Sequence, residues 1–330
     1  MRVFILLVLG WMAASGCAAA EHRVTDSRQA MGTLLEITAV APTVARAQAA
    51  LEAAFAEVDR LDGVLSNWRD STELSRFNAA AGSGSVAISK DLECVFRQAL
   101  EVFRGSAGAF DITLGAEILA QRRSAEQYLV VKPVASTCTG FFRKPGTGRR
   151  HGLPGHGWPD RDALPPRLRV GPGRAALAAA GMAIDLGGIG KGYAVDRARE
   201  AMLQAGALAG FIDFGRSSIA GFGPQPWRVQ ARKLNGEPGE PIELRDASLS
   251  TSEAGGEGGA ILDARTALPV PFARLATVRA SSGAMADAWS TALVVLGRRG
   301  LARLSGSGLP HSAWLEDSAG LVRQDSAPAP

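Results

Sequence analysis

The chain has 330 residues, 46% of them hydrophobic and 21% charged, which suits one large globular domain or two small ones. Its net charge is only +4, and the basic residues are scattered apart from Arg143, Lys144, Arg149 and Arg150, without interleaved aromatics. That pattern argues against a nucleic-acid partner.

Arg2 and the apolar run Val3 to Ala14 have the form of an export signal, too short for a comfortable membrane span. The run ends in Ala14-Ser15-Gly16-Cys17, so residues 1–17 read as a lipoprotein-type signal that leaves Cys17 as the lipidated first residue. A plain secretory signal cleaved near Ala18-Ala19-Ala20 is the alternative. The lipoprotein reading anchors the chain to the membrane, facing the periplasm of a bacterium, with residues 18–28 as a tether. Cys94 and Cys138 then remain, and two cysteines so far apart specify no pairing.

Gly32 to Val40 alternates apolar and polar residues as a strand does. Val44 to Val64 carries Ala47, Leu51, Ala54, Phe55, Val58 and Leu61 at helical spacing, with Asp62-Gly63 as its end. A second helix fits Leu92 to Phe103, before Arg104-Gly105. Residues 121–173, rich in glycine, proline and arginine, hold no sustained period and read as an irregular surface insertion. Helices fit Val195 to Leu203 and Ala286 to Leu296, closed by Gly206 and Gly297, and strands fit Phe211 to Phe214 and Trp227 to Ala231. Residues 311–330 read as a tail.

Five segments carry chemistry-bearing residues. Met182-Ala-Ile-Asp-Leu-Gly-Gly-Ile-Gly-Lys-Gly-Tyr-Ala-Val-Asp196 reads as a strand, a glycine-dense turn and a helix start. Such a turn lets backbone approach a ligand, and free N–H groups with Lys191 attract an anion. It is not a Walker A loop, because Gly192 follows Lys191, and it lacks the Rossmann glycine spacing. In Ala286-Asp-Ala-Trp-Ser-Thr291, Asp287 and Thr291 stand four apart on one helix face, two hard oxygen donors suited to Mg²⁺ or Ca²⁺. An aspartate cap and a back-bonding threonine are the ordinary alternatives.

Ser250-Thr251-Ser252 reads as a hydroxyl-rich loop, able to bind phosphate or simply to turn. Gly108-Ala-Phe-Asp-Ile-Thr113 and the stretch from Leu65-Ser66-Asn67-Trp68 to Ser75-Arg76-Phe77-Asn78 complete the set. Trp68 is able to stack on a flat ring system and Asp111 to accept from ring nitrogens or a sugar hydroxyl; a core tryptophan and a turn aspartate are the plainer readings.

Taken in order with Met31-Gly32-Thr33 and Trp227-Arg228-Val229, this series resembles the ApbE family, the FAD:protein FMN transferases, over roughly residues 29–115 and 170–300. The resemblance implies an α+β fold: a mixed, largely antiparallel sheet with packed helices and a ligand cleft between two lobes, spanning residues 29–310. It implies FAD as substrate, Mg²⁺ (or Ca²⁺) as cofactor, and transfer of FMN to a threonine hydroxyl of a partner protein with release of AMP. Exported relatives modify subunits of membrane redox complexes. Asp287 and Thr291 match the metal's side-chain ligands and Gly188 a carbonyl ligand, with Asp287 as the catalytic group. Met31, Trp68, Ala109, Phe110, Asp111, Asp185, Lys191 and Ile261 match positions of the FAD pocket.

Relatives commonly carry His-x-x-Asp-Pro-x-Thr-Gly where this chain has Ala260-Ile-Leu-Asp-Ala-Arg-Thr-Ala267. The histidine suited to accept a proton is therefore Ala260, and none of His22, His151, His156 and His311 takes its place. Loss of that base leaves two alternatives: a flavin-binding protein impaired in catalysis, or a metal-dependent FAD pyrophosphatase giving FMN and AMP. Relatives also often have a Gly-Gly-Asn-like turn where this chain has Phe214-Gly215-Arg216-Ser217-Ser218.

Overall fold

The computed structural model describes residues 21–120, 167–255 and 261–326. The signal segment with Cys17, the Arg143 to Arg150 cluster, Cys138 and Ala260 lie outside the described residues, as does most of the proposed insertion.

The helices are α1 (Val44–Leu65), α2 (Glu73–Ala79), α3 (Lys90–Gly105), α4 (from 115 to the edge of the described residues at 120), α5 (Gly190–Gln204), α6 (Gly283–Leu296) and α7 (Arg298–Gly306). The strands are β1 (His22–Ala30), β2 (Thr33–Ala41), β3 (Val86–Ala87), β4 (Leu168–Gly171), β5 (Arg174–Leu177), β6 (Ala209–Phe214), β7 (Ser218–Phe222), β8 (Trp227–Arg232), β9 (Pro238–Leu244), β10 (Ala247–Ala254), β11 (Leu262–Asp263), β12 (Leu268–Pro269), β13 (Arg274–Ala280), β14 (His311–Asp317) and β15 (Gly320–Asp325).

Eight strands form the main sheet in the order β1-β2-β6-β7-β10-β13-β14-β15. Every ladder in it is antiparallel, which sharpens the expected mixed sheet; the parallel contact among the described residues is the bridge Leu114–Ala183. Helices α1, α5 and α6 pack on one face of this sheet. The β8–β9 hairpin covers part of the other face, where Ile242, Leu244, Leu249 and Trp314 form a second core. A smaller sheet, β3-β5-β4, stands apart and feeds residues 178–189 toward α5.

Helix α1 forms where the spacing predicts it. Thr43 caps it by accepting from the Arg46 N–H at 3.2 Å, and Ala47, Ala50, Leu51, Ala54, Phe55, Val58, Leu61 and Leu65 make its buried stripe. The Asp62-Gly63 pair does not end it; the helix continues to Leu65.

Helix α6 is different, because from Gly283 to Ser290 every residue is buried. A helix apolar all round belongs to the middle of a protein. Its start is fixed from a neighbour. Asp196 on α5 accepts from the Gly283 N–H at 2.7 Å, the Ala284 N–H at 3.1 Å and the Ser282 hydroxyl at 3.0 Å. Burial pushes the Asp196 carboxyl above its ordinary range, and those three donors pull it back. Asp196→Ala is expected to cost about 2–3 kcal/mol, because it strands two helix-start amides and a hydroxyl. A lowered urea midpoint with an unchanged m-value is the measurement.

Three boundary expectations are corrected. The segment 18–28 is not a tether along its length, since residues 22–30 form edge strand β1, paired with β2 from His22–Ala41 to Ala30–Thr33. Residues 311–330 are not a tail, since β14 and β15 complete the sheet from 311 to 325. The proposed insertion ends earlier than 173, because Leu168–Gly171 pairs with β5. In each case a hairpin partner orders the strand, β2 for β1, β5 for β4 and β15 for β14, and β14 also pairs with the distant β13. No helix among the described residues is long and apolar enough to cross a membrane.

Candidate functional site

The glycine turn, the Ser-Thr-Ser segment and the Asp287 helix meet. Ser250-Thr251-Ser252, expected as a loop, lies inside strand β10 between β7 and β13. Alternation along the strand turns Ser250 and Ser252 toward α6 and Thr251 the other way, where its hydroxyl meets that of Thr277 at 2.9 Å. The helix after the glycine turn begins at Gly190, five residues before the periodicity suggests, so Lys191 and Gly192 stand in its first turn.

Asp287 is 4% exposed. Its Oδ2 accepts from the Gly192 N–H at 3.0 Å and its Oδ1 from the Ser250 hydroxyl at 3.0 Å. Burial pushes its carboxyl above the ordinary range; the Lys191 charge, the Gly192 amide and the Ser250 hydroxyl pull it back. Ser250 Oγ also lies 2.9 Å from the Ser217 carbonyl. One hydroxyl proton cannot serve two acceptors at once, so this corner carries more acceptor oxygens than Ser250 satisfies. Lys191 Nζ donates to the Ser217 hydroxyl in a short contact.

Thr291 stands one turn on, its hydroxyl 3.1 Å from that of Ser252, which lies 2.8 Å from the Ser290 hydroxyl. Gly188 adjoins it, since a Cβ built there would stand 3.1 Å from Thr291 Oγ1 and 3.1 Å from Phe110 Cε2. A side chain at Gly188 would fill the space beside the Thr291 hydroxyl. Asp287, Thr291 and Gly188 are thus brought to one corner. Asp287 and Thr291 carry carboxylate and hydroxyl oxygens, hard donors of the kind that Mg²⁺ or Ca²⁺ takes.

The other expected residues are distributed around this corner. Asp185 Oδ2 accepts from Asn67 Nδ2 at 2.8 Å and its Oδ1 from the Gly187 N–H at 2.8 Å, so it ties the Trp68 segment to the glycine turn. Trp68 is 66% exposed, a displayed ring and not a core tryptophan. Ala109 and Phe110 are buried, so they shape the wall behind Gly188 more than they present a surface. Asp111 accepts from the Thr113 amide at 2.9 Å and hydroxyl at 2.7 Å, and the Ile112 carbonyl beside it accepts from the Asp185 N–H at 2.9 Å. Met31 sits at the β1–β2 turn with φ 43°. Ile261 packs partly buried against the main core, and its carbonyl accepts from the Val270 N–H at 2.9 Å, so that oxygen is engaged.

Four residues without an assigned role in the sequence reading hold the site together. Asn78 brackets Ile184, donating to its carbonyl at 3.0 Å and accepting from its N–H at 2.7 Å. Asn67, Ser217 and Asp196 complete the set. The two asparagines lie in a quoted motif, so position was legible while role was not.

The segment after Ala260 closes in a tight turn. Asp263 caps a turn, accepting from the Arg265 N–H at 2.9 Å, and the Ala267 N–H donates to the Asp263 carbonyl at 2.8 Å. Ala267 has φ 56°, a left-handed conformation that glycine adopts without strain. Ala267→Gly is expected to raise stability by about 1 kcal/mol, read as a higher thermal midpoint.

Solved structures share this architecture. The flavin transferase ApbE from Vibrio cholerae superposes with a TM-score of 0.70 at 20% identity, over 93% of this chain and 98% of that one. The Pseudomonas stutzeri flavinyl transferase ApbE, in its apo form, gives 0.70 at 20% identity over 93% and 95%. The fold is that of the flavin transferases. The ApbE family model matches residues 31–311, and the chain belongs to the ApbE family. Among relatives, the FAD:protein FMN transferase of Klebsiella pneumoniae (strain 342) is 26% identical over 310 residues, covering 86% of this chain and 83% of its own length. That of Treponema pallidum (strain Nichols) is 28% identical over 275 residues, covering 77% and 71%.

Proposed function

We propose that this chain is an FAD:protein FMN transferase, moving FMN from FAD to a threonine hydroxyl of a partner protein and releasing AMP. The observation that carries the reading is the buried Asp287 carboxylate, set between Ser250, Gly192 and Lys191 one helix turn from Thr291 and beside Gly188. The names of the family relatives support it.

In the reaction the acceptor oxygen bonds to the FMN phosphorus and the bond from that phosphorus to the AMP phosphate oxygen breaks. The hydroxyl gives up its proton, and AMP leaves with the bonding electrons. Asp287, the Thr291 hydroxyl and the Gly188 carbonyl are the residues that would hold a divalent cation, Mg²⁺ or Ca²⁺. Such an ion neutralises charge on diphosphate oxygens. Asp287 supplies the fixed negative charge of the corner, and Lys191 stands in the first turn of α5 as a cation for phosphate. Asp185 with Asn67 holds the Trp68 segment against the turn. Alanine at 260 has no atom that accepts a proton, so the hydroxyl proton leaves to another group or to water.

We also propose that the chain is exported and tethered by a lipid on Cys17, facing the periplasm, and that its acceptor is a subunit of a membrane redox complex. The Val3 to Ala14 run and the small residues before Cys17 support the anchor. Loss of the protein from the membrane fraction in a Cys17→Ala variant tests it.

The deciding experiment incubates the protein with FAD, Mg²⁺ and a threonine-bearing acceptor domain. Fluorescent acceptor with an equal amount of AMP supports the transferase. Free FMN and AMP with unmodified acceptor indicate a pyrophosphatase, and unchanged bound FAD indicates a binding protein; either result overturns the proposal.

A further inference from the structure

We infer that Arg216 contacts the diphosphate of the nucleotide substrate as a second cation opposite Lys191, an inference that rests on the FAD reading above. Its place in the fold is the first observation. Strands β2 and β6 pair with Leu35 opposite Phe214, so the β1–β2 and β6–β7 turns lie at the same end of the sheet. They touch, since a Cβ at Gly215 would stand 2.5 Å from Thr33 Oγ1. Arg216 thus stands beside the turn that carries Met31. On its other side, Ser217 receives the Lys191 ammonium, and the Ser217 carbonyl lies 2.9 Å from the Ser250 hydroxyl that reaches Asp287.

The second observation is the conformation. The β6–β7 turn places two consecutive residues in the left-handed region, Gly215 at φ 65° and Arg216 at φ 58°. Glycine adopts that geometry freely, while an L side chain there is strained. The arginine thus carries a backbone cost that glycine would remove, as Ala267 does in its own turn.

The third observation is charge. Arg216 is exposed, and among the described residues its guanidinium makes no hydrogen bond or close ion pair, while its charge acts on Asp213. The carboxylate near it is Asp213, which instead accepts from the Arg216 backbone N–H at 2.7 Å. Burial pushes the Asp213 carboxyl up, and the Arg216 amide and charge pull it back. A planar guanidinium with parallel N–H donors suits phosphate oxygens better than an ammonium does.

The test compares the whole protein with its Arg216→Gly and Arg216→Lys variants. FAD and riboflavin dissociation constants are read by flavin fluorescence at low and moderate salt, together with thermal midpoints. The expected result for Arg216→Gly is a higher thermal midpoint and about tenfold weaker FAD binding with a flatter salt dependence; riboflavin binding stays as in the wild type. Arg216→Lys recovers part of the FAD affinity. A purely structural arginine would give the higher midpoint alone. Unchanged FAD affinity in Arg216→Gly, or an equal loss for riboflavin, overturns the inference and leaves the transferase reading standing. Wild-type protein that binds no FAD overturns both.

Discussion

Asp287→Asn is expected to lower FAD turnover by about 10³-fold, about 4 kcal/mol of barrier, while leaving the fold intact or firmer. The amide has the carboxylate's shape and finds partners in the same place. Its oxygen accepts from the Gly192 N–H, and its nitrogen donates to Ser250 Oγ, whose proton then serves the Ser217 carbonyl 2.9 Å away. The substitution therefore removes charge and little else. Stability should move the opposite way to activity. The folded-state carboxyl is raised by burial above its ordinary value of 3.8, so the fold favours the protonated form. In metal-free protein this contribution is present at low pH and is lost as pH rises from 3.8 through the folded value. In EDTA, the stability of the wild type relative to Asp287→Asn should decline across that window. Added Mg²⁺ should raise the wild-type midpoint and leave the variant where it was. Turnover in the variant at the wild-type rate would refute the assignment of Asp287.

Gly192→Ala is expected to destabilise by about 3 kcal/mol or more and to abolish activity with it. A Cβ there would lie 2.1 Å from the Gly283 carbonyl oxygen and 2.7 Å from Asp287 Cβ. Both obstacles are rigid, one a backbone oxygen and the other the root of the functional side chain. The helices α5 and α6 would have to separate, breaking the Gly192 N–H to Asp287 bond on which the site's geometry depends. Gly190→Ala is the control, two residues earlier in the same turn. Its Cβ would meet only Leu186 Cβ, at 3.7 Å, and the substitution should be neutral or slightly stabilising. Urea midpoints for both variants decide it, and equal effects would mean that the crossing is looser than these contacts imply.

Legibility differed with the kind of signal. Asp287 and Thr291 were readable as a pair because four residues on a helix is a local relation, and α6 keeps it. The glycine turn was readable as a place of close backbone approach, and at Gly188 and Gly192 the neighbours that come close are Phe110, Thr291, Gly283 and Asp287. The Ser250 to Ser252 segment was misjudged as a loop. Serine favours turns as readily as strands, and the pairing with β7 and β13 makes the segment a central strand. Strand β1 and the β14–β15 hairpin carry many polar residues with no sustained alternation of apolar ones, so their pairing shows only in the fold.

What the sequence determined by itself was the inventory: oxygen donors at helical spacing, a glycine turn with one lysine, and an order of motifs that marks the ApbE family. Those relations are local or ordinal, and a chain carries them without folding. The tertiary structure decided which groups share a corner. Ser250 lies 37 residues from Asp287, Gly192 lies 95 residues away, and Asp196 caps a helix 87 residues further on. Distances of that kind follow from sheet order and helix crossing, which arise when the whole apolar surface is buried at once. The same packing buries the Asp287 carboxylate among Gly192, Ser250 and Lys191, where the sequence alone offered an oxygen donor one helix turn from Thr291.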